Sequence, residues 1–413
     1  MQTLAEKLVA RAAGRSSVTP GEIVTCKVDL AMMHDSGGPR RVKPMLERLG
    51  AKLWDPSKVV VITDHYLPAN DAESRRIIAI ARDWSHETGV GGFYEGQGIC
   101  HVVLPERGHL RPGMFVVGGD SHSPTGGAFA AYMFGVGATE MLGVLVTGEI
   151  WLKVPHTIAV EFDGALREGV SAKDVMLFLI GRFGMDGGQY QAVEYRGSAI
   201  RALSMQERMT LCNMTAELGG QTGLIASDEV TRDFLKTDDF SVWESDPGAP
   251  LLDHHRFWAG ELAPQVAAPH SPANAKSVAE FENTPVDLAY IGACTGAKLE
   301  DLRMAARVLK GHKSAVRLLV APASLRDQHA AEREGVLRIL EQAGAEFLAN
   351  SCGMCAGYGE HLLPEDAVAI STTARNFKGR MGAASAEVYL ASPYTVAASA
   401  VAGRIRDPRG MLR

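Results

Sequence analysis

Residues 288–309 read LAYIGACTGAKLEDLRMAARVL. The apolar run Leu288–Ile291 predicts a buried β-strand, and the apolar spacing of Leu299–Leu309 is typical of a helix packed on a sheet. Asp71–Thr88 predicts a second helix of this kind. Further short apolar runs predict buried strands at Val59–Ile62, Val102–Leu104, Met114–Val117, Thr157–Phe162 and Val316–Val320. This alternation of strands and helices predicts an α/β fold with largely parallel sheets.

Two changes in composition divide the chain into three predicted α/β domains, residues 1–155, 156–275 and 276–413. The first boundary follows a glycine-rich stretch that ends near Pro155, and the second lies in the proline-rich residues 246–285, which are typical of a linker. Residues 1–14 have the apolar spacing of an amphipathic helix and lack the continuous apolar core of a signal peptide.

Charge and cysteine content limit the classes of function. The chain has 42 basic and 48 acidic residues and a formal charge of −6, so we expect neither nucleic-acid nor membrane binding. The long apolar stretch Ala128–Leu152 is interrupted by glycines and by two glutamates, which argues against a membrane span. Six cysteines are too few for a disulfide scaffold in 413 residues, and they predict a cytoplasmic protein.

Three cysteines have the spacing of metal ligands. Cys294 follows a predicted strand, and Cys352 and Cys355 form a C-x-x-C pair 58 residues later. Three thiolates can hold an iron–sulfur cube and leave one iron free to bind substrate, whereas electron-transfer clusters use four. A zinc site completed by a histidine and a redox-active or merely buried C-x-x-C pair are the alternatives. Isolated cysteines are by default small buried hydrophobes, and these are Cys26, Cys100 and Cys212.

Three histidine–aspartate pairs follow apolar stretches that predict strands: His34–Asp35, Asp64–His65 and Asp120–His122. A carboxylate beside an imidazole fixes its tautomer and stabilises the imidazolium, which suits proton transfer to a leaving hydroxyl. His101, at the start of a predicted strand, adds a fourth imidazole. Each pair taken alone is also compatible with a capped turn, so the recurrence is the signal.

Two arginines, Arg375 and Arg380, lie in the polar segment 372–380. Guanidinium groups grip carboxylates through two parallel hydrogen bonds, so the segment is a candidate for binding a carboxylate substrate. The alternative is that both arginines are ordinary surface residues.

These motifs, in this order, resemble those of the aconitase superfamily, and especially the large subunits of 3-isopropylmalate dehydratase and its homoaconitase and dicarboxylate-hydratase relatives. The resemblance covers nearly the whole chain. Its motifs are Thr3-Leu-Ala-Glu-Lys, Asp64-His65, Gly119-Asp-Ser-His, Phe134-Gly-Val-Gly, Asn213-Met, Gly223-Leu-Ile-Ala, Cys294-Thr, Cys352-Gly-Met-Cys and Arg375-Asn-Phe-Lys-Gly-Arg.

The resemblance implies three α/β/α domains around a central cleft that holds a [4Fe–4S] cluster with one iron not bound by cysteine. The implied cluster ligands are Cys294, Cys352 and Cys355, with Asn213 beside them. The implied catalytic residues are Asp64, His65, His101, Asp120, His122 and Glu217. The implied substrate-binding residues are His34, Ser121, Arg375 and Arg380.

The resemblance also implies a partner. Single-chain aconitases carry a base serine on a C-terminal swivelling domain, and no residue of this sequence matches it. We therefore expect a separate small subunit that supplies the swivel domain and the serine, and a small carboxylate as substrate.

Three functions follow from these observations. The first is dehydration and rehydration of a hydroxy-dicarboxylate of the 3-isopropylmalate type, and the second is hydration of an unsaturated diacid such as maleate, citraconate or dimethylmaleate. Gly296, Ala374 and Thr125 depart from the family pattern at positions where side-chain amides are usual, so the substrate stays open. The third, an iron-sensing RNA-binding protein, is disfavoured by the net charge.

Overall fold

The computed structural model describes residues 1–237 and 240–412. In the described residues, helices alternate along the chain with the strands of four sheets. The helices are α1 (Leu4–Ala12), α2 (Pro39–Leu49), α3 (Ala72–Thr88), α4 (Cys100–Glu106), α5 (Ala138–Thr147), α6 (Ala172–Phe183), α7 (Ser198–Arg201), α8 (Met205–Met214), α9 (Glu229–Leu235), α10 (Leu299–Leu309), α11 (Leu325–Arg333), α12 (Val336–Gln342) and α13 (Pro393–Ala402).

The strands are short and mostly buried. They are β1 (Ile23–Lys27), β2 (Leu30–His34), β3 (Val59–Thr63), β4 (Gly92–Glu95), β5 (Phe115–Gly118), β6 (Tyr132–Gly135), β7 (Glu149–Lys153), β8 (Thr157–Asp163), β9 (Ala192–Arg196), β10 (Thr222–Leu224), β11 (Asp253–Trp258), β12 (Gln265–Ala267), β13 (Ala275–Ser277), β14 (Leu288–Ile291), β15 (Arg317–Val320), β16 (Ala345–Phe347), β17 (Val368–Ser371) and β18 (Glu387–Ala391).

The first sheet is parallel throughout and has the order β4-β3-β2-β5-β6. Its strands β2 and β3 are buried at every residue, as expected for a sheet covered on both faces. Because parallel strands end at the same edge, the loops after β3, β2 and β5 lie side by side. The antiparallel pair β1 and β7 forms a separate two-stranded sheet.

The second sheet is also parallel and has the order β10-β9-β8-β11. The third has the order β13-β12-β18-β17-β14-β15-β16, and its strands from β18 to β16 are parallel. Strand β12 pairs antiparallel with both neighbours. Strand β12 lies before residue 276, so the third sheet includes a strand from outside the predicted third domain. The last residue of that predicted domain, 413, lies outside the described residues. The three-domain division stays a prediction.

The first two sheets approach each other through glycine. Ile225 N, just after β10, donates to Gly127 O at 3.0 Å. A Cβ on Gly127 would lie 1.6 Å from Gly223 O, so no other residue fits there without moving the backbone. Gly127 lies in the 3₁₀ segment Ser123–Phe129. This contact therefore fixes the loop after β5 against the second sheet.

Most predicted elements agree with the structure, including Leu288–Ile291 and Leu299–Leu309 at their predicted bounds. Two predictions were wrong. Residues 102–104 belong to helix α4, which is buried along nearly its whole length, so their apolar run reported burial rather than a strand. The proline-rich residues 246–285 are not simply a linker, because they supply β11 to the second sheet and β12 and β13 to the third.

The N-terminal helix forms as predicted. Thr3 caps α1, since its hydroxyl accepts from Glu6 N while the Glu6 carboxylate accepts from Thr3 N. The apolar side chains Leu4 and Leu8 are fully buried in a core around the first sheet. In the part of the chain that the structure describes, no helix is long and apolar enough to cross a membrane.

Candidate active site

Asp35 organises the loop edge of the first sheet. It follows β2 and is fully buried. Its Oδ1 accepts hydrogen bonds from Asp64 N and His65 N, both at 3.1 Å, and its Oδ2 accepts from Tyr66 N at 2.7 Å. One carboxylate thereby satisfies three consecutive backbone donors after β3 and holds the Asp64–His65 pair in place.

Asp64 and His65 form a buried charged pair. His65 Nδ1 donates to Asp64 Oδ1 at 2.6 Å, and Cys100 N donates to Asp64 Oδ2 at 2.7 Å. Burial disfavours the imidazolium, but the Asp64 carboxylate outweighs it and raises the pKa of His65 to about 10. The pKa of Asp64 falls to about 2, because His65 and the Cys100 amide offset its burial. His65 is therefore a proton donor near neutral pH.

His34 lies at the site, but both of its ring nitrogens face backbone. Ser36 N and Gly37 N donate to Nδ1 at 3.2 and 3.4 Å, so the proton is on Nε2, which donates to Gly119 O at 3.0 Å. Burial, with His65 nearby, lowers the pKa of His34. Its ring stacks on that of His65 at a centroid distance of 4.2 Å. The neutral ring of His34 thus supports His65, and the predicted contact to substrate stays a prediction.

Asp120 joins two further histidines. Its Oδ1 accepts from His101 Nε2 at 2.7 Å and from His122 N at 2.8 Å. Burial opposes ionisation, but these neighbours hold the pKa of Asp120 well below its ordinary value. His101 lies in the first turn of α4, not at the start of a strand as the sequence predicted. The helix turns its ring towards the loop after β5.

Glu217 lies in the loop between α8 and β10 and brings the second sheet to the site. Its Oε1 accepts from His122 Nε2 at 3.0 Å and from Arg375 Nε at 2.6 Å. Burial favours the neutral acid, but the two cations outweigh it and lower the pKa of Glu217. For His122 burial is again the largest effect, yet the Glu217 charge raises its pKa to about 9. Glu217 thus connects His122, in the loop after β5, to Arg375, in the loop after β17, through charged hydrogen bonds.

The cysteines enter from the third sheet. Cys294 follows β14, and Asn213 Nδ2 donates to its Sγ at 3.2 Å and to Thr125 Oγ1 at 2.8 Å. Cys352 N donates to Asp64 O at 2.8 Å, which joins the C-x-x-C loop directly to the Asp64–His65 loop. The loops that carry the predicted cysteines and imidazoles are therefore joined by direct contacts, at the place where the resemblance implies a cleft.

The C-x-x-C pair is a tight turn. Cys355 N donates to Cys352 O at 3.0 Å, and Gly353–Ala356 forms one 3₁₀ turn. A hydrogen bond from the Cys352 thiol lowers the pKa of Cys355, and the charge of Arg380 acts in the same direction. Cys355 is therefore the sulfur of the pair that more readily becomes a thiolate, the form that binds metal.

The three thiols do not have the spacing of a single-ion site. Among the described residues, the groups of three or more ligand atoms lying within 4.8 Å of one another consist of histidines and aspartates, and the cysteines do not form such a group. A mononuclear zinc site needs ligand atoms that close. A larger inorganic core that spans the cleft fits the three sulfurs better.

Buried polar atoms without a partner gather at this cleft. Within the described chain the side-chain atoms in that state are Gln2 Oε1, His101 Nδ1, Arg208 Nε, Asn213 Oδ1, Glu217 Oε2, Asn376 Oδ1 and Arg380 Nε. Four of these belong to residues that the sequence predicted for the site. Buried polar groups are normally paired, so their concentration here indicates that a bound group completes them.

Ser121 and the two arginines lie at the same cleft. Ser121 is exposed between Asp120 and His122. Arg375 follows β17 and is already paired to Glu217, whereas Arg380 is half-buried with its Nε unpaired. The site therefore has a free guanidinium nitrogen next to the C-x-x-C loop.

Sequence reasoning missed two buried lysines beside the cysteines. Lys173 on α6 and Lys298 before α10 are 1% and 0% exposed. The sequence of α6, AKDVMLFLIGRF, could have indicated Lys173. A helix that is apolar on most of its circumference is normally buried, so a lysine in it is unusual.

Comparison with known proteins identifies the class. The model of the aconitase family (aconitate hydratase) matches residues 6–284 and 270–403. The chain belongs to the aconitase family, whose members are hydro-lyases.

Individual relatives narrow the class. The 3-isopropylmalate dehydratase large subunit 1 of Methanopyrus kandleri is 44% identical over the full length of both chains. A probable methanogen homoaconitase large subunit of Methanosarcina mazei is 47% identical, with 92% of this chain and 98% of that one covered. The 3-isopropylmalate dehydratase large subunit of Moorella thermoacetica is 42% identical over 100% and 99% of the two chains.

A solved structure supports the fold. The crystal structure of Thermococcus kodakaraensis aconitase X in its holo form has a TM-score of 0.51 and covers 85% of this chain and 84% of its own. At 13% identity this likeness bears on the fold alone.

Proposed function

We propose that the chain is the catalytic large subunit of an iron–sulfur hydro-lyase that dehydrates and rehydrates a small hydroxy-dicarboxylate of the 3-isopropylmalate type. The observation that carries the proposal is the meeting of three cysteines with the carboxylate–imidazole pairs at one cleft, where the unpaired buried atoms also gather. The names and near-complete coverage of the relatives support the same substrate class.

Cys294, Cys352 and Cys355 would hold a [4Fe–4S] cluster with one iron not bound by cysteine. Three sulfurs too far apart for one ion, with an amide donor on Cys294 Sγ, fit such a core. When bound, the cluster supplies a Lewis acid at its free iron. Asn213 would orient the Cys294 ligand from behind.

The protein's own residues would handle the proton on the departing hydroxyl. His65 enters the reaction as an imidazolium, because Asp64 holds its Nδ1 and leaves Nε2 for the substrate. His101 and His122 share Asp120, and Glu217 holds the far nitrogen of His122. General acids positioned in this way contribute about 10²–10⁴-fold to a rate.

The cations would hold the carboxylates. Arg380 has a buried Nε free for a carboxylate oxygen, and Arg375 retains the outer nitrogens of its guanidinium while Nε binds Glu217. Exposed Ser121 would add a hydroxyl donor. Bidentate guanidinium–carboxylate contacts would fix the orientation in which the substrate meets His65.

The chain would act with a second protein. Its relatives are named large subunits, and it matches nearly their whole length. We propose a small subunit that carries the swivel domain and the base serine and docks over the cleft. The cytoplasmic location stays a prediction.

The proposal is tested by anaerobic co-expression with candidate small subunits. We expect about four irons and a matching amount of sulfide per chain, and turnover of 3-isopropylmalate in a panel that includes maleate, citraconate and dimethylmaleate. Cys294→Ser should lose the cluster, while Cys26→Ser, at an isolated cysteine, should keep it. Stoichiometric zinc without iron or sulfide would refute the cluster, and turnover confined to the unsaturated diacids would favour the simple hydratase.

A further inference from the structure

Lys173 on α6 binds both the loop after β14 and the loop after β17. Its Nζ donates to Thr373 O at 2.6 Å, Thr372 O at 2.7 Å and Thr295 Oγ1 at 3.2 Å. The lysine is 1% exposed and the three threonines are fully buried. Thr295 follows Cys294 directly, and Thr372 and Thr373 precede Arg375. One side chain from α6 therefore holds a cluster-ligand loop and a substrate-arginine loop together.

The Lys173 side chain is an ammonium in this arrangement. Thr295 Oγ1 uses its own hydrogen to donate to Thr372 O at 2.9 Å, so it accepts from Lys173. All three acceptors therefore need an N–H from Nζ, and only the charged form has three. Among the described residues, no carboxylate oxygen lies within 4.0 Å of Nζ. A buried ammonium without a counter-ion is costly, so a negative charge should be supplied at this point.

Cluster thiolates would supply such charge close by, because Lys173 binds Thr295, the residue that directly follows Cys294. Burial lowers the pKa of Lys173, and Cys355, Glu217 and Cys294 oppose that effect, in that order. Lys298 provides the contrast. Its Nζ also makes three hydrogen bonds, one of them to Cys294 O at 2.8 Å, but its third partner is the carboxylate of Asp301 at 2.7 Å. Lys298 is therefore neutralised locally and Lys173 is not.

The two loops also interlock without the lysine. Thr372 Oγ1 accepts from Gly292 N at 2.8 Å and donates to Gly292 O at 2.9 Å. A Cβ on Gly296 would lie 2.1 Å from Thr372 Cβ, so the threonine side chain fills the space that any larger residue at position 296 would need. The spacing of the loops is thus set by close contact, and Lys173 closes the same junction from the helix side.

We propose that Lys173 is a positioning residue that fixes the Cys294 loop against the Arg375 loop and balances the negative charge of the cluster thiolates. The inference rests on the proposed function, because it assigns Lys173 to the same cluster and the same substrate arginine. It predicts that one substitution changes both substrate binding and the redox properties of the cluster.

The test compares Lys173→Met and Lys173→Gln in the two-subunit enzyme, purified anaerobically. Lys173→Met removes the charge and all donors, and leaving buried acceptors unpaired should raise KM about tenfold, equivalent to about 1.4 kcal/mol. It should also shift the midpoint reduction potential of the cluster to more negative values, since a nearby positive charge favours the reduced form. Lys173→Gln keeps donors without charge, so it should recover part of the KM but not the potential.

Two further variants keep the inference open to refutation. Thr295→Val retains the Lys173 charge and loses two hydrogen bonds at this junction, the one accepted from Lys173 Nζ and the one donated to Thr372 O. It should therefore raise KM without moving the potential, and it replaces Lys173→Met as the test if that variant does not fold. Arg208→Met removes a fully buried cation that binds Asp228 instead. It should lower the melting temperature and leave KM and the potential unchanged.

The outcomes separate the two proposals. Wild-type protein that lacks iron and sulfide would overturn the proposed function and this inference with it. Wild-type protein with a cluster, beside a folded Lys173→Met variant of unchanged KM and potential, would overturn the inference alone. An unchanged KM in Thr295→Val would likewise overturn the positioning role.

Discussion

At the scale of single residues, the two arginines differ in what holds them. Arg375 is anchored by Glu217, whereas the Arg380 guanidinium has a buried Nε with no partner in the protein. A buried guanidinium nitrogen without a hydrogen-bond partner is poorly explained by folding alone, because its burial costs stability unless something binds it. We therefore expect Arg380 to act mainly on substrate.

Arg380→Lys tests this expectation. Lysine keeps the charge but loses the planar fork, so a carboxylate held by two parallel bonds would be misplaced, and such misplacement can cost about 10²-fold in turnover. The melting temperature should stay within a few degrees. Steady-state kinetics and thermal unfolding measure the two effects, with exposed Arg404→Lys as the control. A normal rate would remove Arg380 from the site.

The sequence predicted many residues of this candidate site because strand ends carry a local signal. Asp64–His65 and Asp120–His122 follow apolar runs, and parallel strands end at one edge. The link from His122 through Glu217 to Arg375 had no such signal. Its members are 95 and 158 residues apart, and only the packing of three sheets brings them together.

At the scale of elements, helices α4 and α11 meet through an acidic contact. Glu106, the last residue of α4, accepts from Ser324 Oγ at 2.8 Å, and the same hydroxyl caps α11 by accepting from Asp327 N. Burial, followed by the charge of Asp327, raises the pKa of Glu106 to about 8. The protonated carboxyl is therefore the form that suits this contact.

Glu106→Gln should make the protein less sensitive to pH. A folded pKa above the unfolded value of about 4.5 means that the contribution of Glu106 to stability is present at low pH and is lost as pH rises towards about 8. The melting temperature of the glutamine variant should therefore rise relative to that of the wild type as the pH is raised from 5 to 9. Exposed Glu341→Gln is the control. A difference that stays constant with pH would contradict the assignment.

The wrong predictions concern segments whose sequence pattern indicates burial or a loop but does not distinguish a helix from a strand. Residues 102–104 are apolar and two of them are valines, yet they lie in a seven-residue helix whose first turn is held by the hydrogen bond from Cys100 N to Asp64. Residues 246–285 carry many prolines, but β12 is a short strand between two antiparallel neighbours. Both outcomes depend on tertiary partners, which a local pattern does not contain.

At the scale of the whole molecule, three mainly parallel sheets present loops to one cleft. The α/β class followed from the alternation of strands and helices, and the aconitase-type arrangement followed from the order of the motifs. The relative placement of the sheets could not be predicted from the sequence, because it is set by backbone contacts such as Gly127 against Gly223. Glycines at such contacts look the same in a sequence as glycines in turns.

The cleft has acids and cations in place but a poor base. Dehydration requires removal of a carbon-bound proton next to a carboxylate, and the base must lie within hydrogen-bond reach of it. The first candidate in this chain is His34, yet its Nδ1 already accepts from Ser36 N and Gly37 N. Using it as a base would first break those contacts. This geometry supports a base supplied by the small subunit.

We therefore predict that this chain with an intact cluster is catalytically silent by itself. Adding the small subunit anaerobically should restore the absorbance change of a conjugated diacid, and replacing that subunit's base serine by alanine should abolish it. A His34→Gln variant of the complex should keep substantial turnover, because its neutral ring supports His65 rather than taking the proton. Turnover by the 413-residue chain alone, lost on His34→Gln, would overturn the split site and make His34 the base.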